Sequence, residues 1–136
     1  MDKPNWIVHN VHQELWFRSS PTLPFAVLSQ FLDSRGILVT PRLGKRNASH
    51  PKGYLPDTTA TVRLFDDCWR EKLREDVLII RVVSKPLRDF EDLDLTNTVY
   101  RSVESMQRDL SFFEERPIAS DETVSLVEFS YLNRKE

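Results

Sequence analysis

A chain of 136 residues, 40% hydrophobic and 29% charged, fits one domain with a core of its own, and its composition excludes a low-complexity or disordered chain. The formal charge of -2 argues against a general nucleic-acid coating protein, and no run of residues approaches the roughly 18 apolar positions of a membrane span. Cys68 stands alone, so no internal disulfide forms; the polar start, with Asp2 and no apolar leader, sets the expected compartment as cytoplasmic or intracellular, a virion included.

The first element, Trp6 to Phe17, fits two periods. Ile7, Val11 and Leu15 recur at four-residue spacing, as a helix requires, while the wealth of Val, Trp and Phe suits a strand; the spacing favours helix slightly. Arg18 to Pro24 is a turn, and a second element follows from Pro24 to Arg35. Ser20 or Thr22 is placed to cap that helix, and Phe25, Leu28, Phe31 and Leu32 form its buried face. Gly36 is expected to end it in the left-handed conformation. Ile37 to Thr40 then reads as a strand.

Between Ser34 and Pro56 lie Arg35, Arg42, Lys45, Arg46 and Lys52 with no acidic residue, which leaves -2 - 5 = -7 for the rest of the chain. The stretch from Pro41 to Gly53 is punctuated by Gly, Pro, Asn and Ser, so a long flexible basic loop over about 41–56 is expected. A basic island on an acidic protein steers it toward an anionic partner. Arg42, Lys45, Arg46, His50 and Lys52 are therefore the candidate partner-binding residues. The loop is not a phosphate-binding P-loop, because Gly44-Lys45 lacks the upstream glycine and the following Ser or Thr.

Thr58 to Phe65 alternates Ala60, Val62 and Leu64 against Thr59, Thr61 and Arg63, a half-buried strand. Asp66 to Asp76 reads as a short charged helix or structured turn, with Trp69 and Leu73 as its anchors. Val77 to Val83 is apolar at six of seven positions, as a central strand covered on both faces would be. After an acidic linker, Val99, Val103, Met106, Leu110 and Phe113 are spaced four, three, four, three, which marks an amphipathic helix over 97–115 with Val103 in mid-stripe. Thr123 to Leu132 is the last strand, with Val127, Phe129 and Tyr131 on one face, and 133–136 is a frayed tail.

The remaining constellations carry no chemistry by themselves. His9 and His12 share a face only on a helix and have no third ligand beyond Glu14. Asp89, Glu91, Asp92 and Asp94 lack the spacing of a calcium loop and suit the positive end of the following helix. Cys68 has no base nearby in sequence and reads as a packed thiol. Trp6, Trp16 and Phe90 fall outside the cleanest apolar stripes, and one or more of them is expected at the surface. No catalytic residue, metal site or cofactor is assigned.

These elements predict a single α+β domain over 1–136: a mainly antiparallel sheet of three to four strands packed by two amphipathic helices, with a long basic loop. The expected function is a non-catalytic assembly or adaptor subunit acting through protein partners or self-association. Small virus or phage particle components, including ring-forming tail proteins, fit that description by analogy of fold. The alternative is a nucleic-acid-associated protein that sets the basic loop on phosphates.

Overall fold

The computed structural model describes residues 13–46 and 53–132. Five strands, β1 (Glu14–Arg18), β2 (Leu38–Leu43), β3 (Thr59–Phe65), β4 (Glu71–Pro86) and β5 (Thr123–Tyr131), combine with two helices, α1 (Phe25–Asp33) and α2 (Val103–Glu114). The class is α+β as expected, but the sheet is five-stranded and mixed, in the order β1-β3-β4-β5-β2. Only β1 runs parallel to its neighbour, β3; the other pairs are antiparallel. The sheet curls: Phe17 of edge strand β1 stacks 6.2 Å from Phe129 of β5, and Arg42 of the opposite edge strand, β2, lies over the same Phe17 ring.

The slight preference for helix in the first element is corrected where it can be tested. Residues 14–18 form a strand, and His9, His12 and Trp6 lie outside the described residues. Leu15 and Phe17 face the core while Trp16 stays 46% exposed, so the operative period is two. Gln13 fixes the start of β1: its side-chain amide donates to Thr58 Oγ1 at 2.8 Å and to Thr59 O at 2.7 Å, and its Oε1 accepts from Leu55 N.

Strand β2 continues through Leu43, three residues beyond the predicted end, so the basic connection begins at Gly44 rather than Pro41. Pro41 is tolerated because β2 is an edge strand and spends its pairing on β5 alone. Tyr54, near the far end of that connection, is buried, and its N–H donates to Arg46 O at 2.9 Å.

Of the two readings of 66–76, helix or structured turn, the turn holds for 66–70, and from Glu71 the chain is already in β4. Asp66 Oδ1 accepts from Cys68 N and Arg70 N, and Trp69 takes φ 62 to close the hairpin. Strand β4 is central, but only one face is covered, for Arg81 and Val83 are exposed. The pairing with β5 slips by one residue between Ile79 and Arg81. This bulge moves the inward set from Val77 and Ile79 to Val82 and Ser84, which is why the apolar run is unbroken.

Leu28 and Leu32 of α1 close the main core against Leu15, Val62, Ile79 and Phe129. Pro24 precedes α1 without a side-chain cap, and Arg35, not Gly36, takes the left-handed conformation after it. Helix α2 starts at Val103 rather than Asn97, because Ser102 accepts from Ser105 N and Asp92 accepts from Val103 N. Met106 and Leu110 fill a second cluster with Leu87, Phe90, Leu95 and Val124, so the two helices serve separate clusters. Phe90 is therefore buried, which leaves Trp16 as the exposed one of these two aromatics, and Val103, expected in the core at mid-stripe, is only half-buried.

A candidate binding cleft

Where β1 and β2 curl toward each other, α1 and α2 leave a cavity of about 190 Å3. Its wall is built from Phe17 and Arg18 of β1, Thr40 and Arg42 of β2, and Asp109 and Phe113 of α2, among others.

Arg42 enters because β2 is longer than expected. Leu38, Thr40 and Arg42 alternate inward, opposite Phe129, Val127 and Ser125, so the pleat sends the arginine to the core side of the sheet. Its guanidinium lies 4.8 Å from the Phe17 ring centroid. Both Nε and Nη2 are buried, and neither has a hydrogen-bond partner among the described residues. Burial is the main influence on this group and pushes its pKa down; Arg46 adds to that, while Tyr54 and Tyr100 oppose it. Even so lowered, an arginine remains a cation at neutral pH.

Asp109 has the opposite character. It is wholly buried on α2, and three hydroxyls donate to it: Ser20 Oγ and Thr22 Oγ1 (3.1 Å) to Oδ1, and Tyr100 OH to Oδ2. Ser20 and Thr22, expected to cap α1, bind this carboxylate instead. Burial first, and then the Asp109 charge, holds the Tyr100 phenol well above its usual range, so it stays a donor. The cavity wall thus holds a carboxylate that accepts from three hydroxyls and a guanidinium with two buried nitrogens unpartnered among the described residues.

The mouth is aromatic. Trp16, Phe65 and Trp69 form a cluster with ring centroids 5.0–6.3 Å apart, and Trp69 is 54% exposed. Arg18 stacks 4.4 Å from the Trp69 ring and donates from Nη2 to Asp67 O, while its buried Nε has no hydrogen-bond partner among the described residues. Arg63 lies over Trp16 and Phe65 and is held by Glu71 and Glu14. Across the opening, Phe113 on α2 is 42% exposed. A tryptophan at positive φ is strained by about 1–2 kcal/mol relative to glycine. Such strain persists where the surroundings over-determine it, and it clusters at functional sites.

Of the residues chosen from sequence, Arg42 and Arg46 come together at the cavity. Arg46 is anchored by its own N–H to Ser125 Oγ at 2.8 Å and from Nε to Leu43 O at 2.7 Å. Lys45 is exposed and does not line the cavity; His50 and Lys52 lie outside the described residues. Sequence reasoning missed Asp109, though a signal existed: Met106, Asp109, Leu110 and Phe113 follow helical spacing, so the aspartate sits on an apolar stripe. Arg18 and Trp69 carried no such signal.

Asp66, Asp67 and Cys68 place three ligand atoms within 4.8 Å of one another. Both oxygens of Asp66 are already engaged, by two backbone amides and by Arg70 Nε at 3.0 Å. Cys68 is exposed rather than packed. Among the described residues no helix is long and apolar enough to cross a membrane. Compared with family models, with curated proteins and with solved structures, the chain finds no match.

Proposed function

We propose that the chain is a non-catalytic assembly or adaptor subunit and that this cleft is its partner-contacting surface. The observation that carries the reading is the exposed aromatic cluster of Trp16 and Trp69, flanked by Arg18 and Arg63, at the mouth of a cavity. Tryptophan and arginine are the residue types that supply most of the binding energy at protein interfaces. Single exposed apolar residues need no explanation, but a contiguous aromatic group beside a cavity marks an interaction site.

The nucleic-acid alternative is supported less. Arg42 turns inward, and Arg46 is tied to the β2–β5 end by two hydrogen bonds. Light scattering at tens of micromolar, with and without nucleic acid, separates the readings. A mass that rises above the 16.0 kDa of one chain as concentration increases, indifferent to nucleic acid and reduced in Trp69→Gly, is the expected result. Trp69→Gly removes the ring while relieving the positive φ. A mass that changes only on adding DNA or RNA, and falls steeply with salt, overturns the proposal.

A further inference from the structure

We infer that the cleft is a receptor for a carboxylate carried on an apolar peptide segment of the partner protein; this rests on the protein-contact reading above. Two donor atoms of Arg42, Nε and Nη2, are buried beside the cavity and have no hydrogen-bond partner among the described residues. These two N–H groups share one edge of the guanidinium and point in parallel. That edge matches the two oxygens of a carboxylate, which it holds in a bidentate, planar pair. A buried donor without an acceptor is costly, and each such group in a native fold calls for an explanation. Asp109, the buried carboxylate on the same cavity, already accepts from Ser20, Thr22 and Tyr100. Among the described residues, those two donors of Arg42 therefore remain without an acceptor.

Charge favours a monoanion. Arg18, Arg42 and Arg46 bring three formal positive charges to the wall, and Asp109 and Glu114 bring two negative ones, so 3 - 2 = 1 is left to balance. A phosphate dianion would overshoot. Shape favours a ligand with apolar mass: Leu23, Leu28 and Phe17 line the interior, and Trp69 and Phe113 stand at the wall. Trp16, 46% exposed, widens that wall beside Trp69, and the buried Phe65 ring backs both. That surface exceeds what a small free acid would cover and suits the side chains flanking a terminal or side-chain carboxylate in an extended peptide.

The test follows the arginine Nε–H signals in a proton–nitrogen correlation spectrum of the intact chain, with the Arg42 signal identified by its loss in Arg42→Gln. Probes are phenylacetate, phenylacetamide, benzylphosphonate, the tripeptide acetyl-Ala-Leu-Phe with a free carboxylate, and the same peptide as its amide. Phenylacetate and the peptide acid are expected to shift the Arg42 Nε–H and an indole N–H together. The peptide acid should bind at least about tenfold tighter than phenylacetate, because it also covers the aromatic rim. The amides should bind at least about tenfold more weakly than their acids, and Arg42→Gln should erase that preference.

Several results overturn the inference. One is an Arg42 signal indifferent to both acids; another is equal response to amides and acids. Tighter binding of benzylphosphonate removes the carboxylate assignment, and equal affinity for phenylacetate and the peptide acid removes the peptide. Should the acids leave Arg42 unmoved while Trp69→Gly still abolishes protein association, this inference fails and the protein-contact reading stands. Should the acids bind while association never depends on Trp69, the reverse holds.

Discussion

Replacing Arg42 with methionine should stabilise the protein. Two buried N–H groups of this side chain have no acceptor among the described residues, and each unsatisfied buried donor costs about 1–3 kcal/mol. Against that, the guanidinium gains about 0.5–2 kcal/mol from lying over the Phe17 ring. Methionine keeps much of the apolar stem and adapts its shape to fill the space. Replacing buried charge by apolar side chains of similar volume commonly stabilises by about 1–4 kcal/mol, and the same range is expected here. In a domain of this size the melting temperature should rise by roughly 3–15 °C. Circular dichroism melts, with a urea midpoint at constant slope as the check, measure it. If Arg42→Met lowers stability by more than about 1 kcal/mol, the arginine is a structural element and not a vacant receptor.

Met106→Asp should cost several kcal/mol, about the scale of total stability, because it buries a carboxylate in the second cluster; Val103→Asp, half-buried at the first turn of α2, should cost much less, as paired urea titrations would show. Asp109→Ala leaves the hydroxyls of Ser20, Thr22 and Tyr100 without their acceptor and should destabilise by about 2–5 kcal/mol; a loss under about 0.5 kcal/mol would mean those hydroxyls find water at no cost. The Arg116 guanidinium, helped by Ala119 N–H, holds Glu122 down at about 2 against an ordinary 4.5. A depressed carboxylate stabilises above its unfolded pKa and loses that contribution as pH falls through the folded value. Glu122→Gln should therefore flatten the fall in stability between about pH 4.5 and pH 2, and an unchanged acid limb in the variant would count against the pairing.

The sheet was legible where one face is buried and the period is two. Thr59 to Phe65 and Thr123 to Tyr131 were placed within a residue of their ends because Ala60, Val62, Leu64 and Val127, Phe129, Tyr131 alternate without interruption. Strand β1 was not, because Leu15 fits a four-residue apolar spacing upstream as well as the alternation with Phe17. The charged stretch at 66–76 allowed helix or turn, and the turn prevails at 66–70 because Asp66 serves the hairpin amides, not a helix terminus. The start of α2 is set by Ser102 and Asp92, local caps that outrank the apolar position of Val99. For the candidate site, charge drew attention to the right stretch but for a different reason. Arg42 matters because Pro41 does not end β2, and the pleat then points the arginine inward. The contribution of Trp69 depends on the parallel pairing of β1 with β3, which sets the β3–β4 turn beside the end of β1, a long-range relation that no local pattern encodes.

The claim on which the account turns is that this cleft serves proteins rather than nucleic acids. Fluorescence anisotropy at roughly 150 mM salt, a concentration at which nucleic-acid affinity is interpretable, compares two labelled ligands on the same protein: a peptide ending in leucine, phenylalanine and a free carboxylate, and a single-stranded oligonucleotide. Saturable binding of the peptide, weakened by Arg42→Gln and by Trp69→Gly, with negligible binding of the oligonucleotide, is the expected result. Micromolar or tighter binding of the oligonucleotide, weakened by the same two substitutions while the peptide stays unbound, would contradict it.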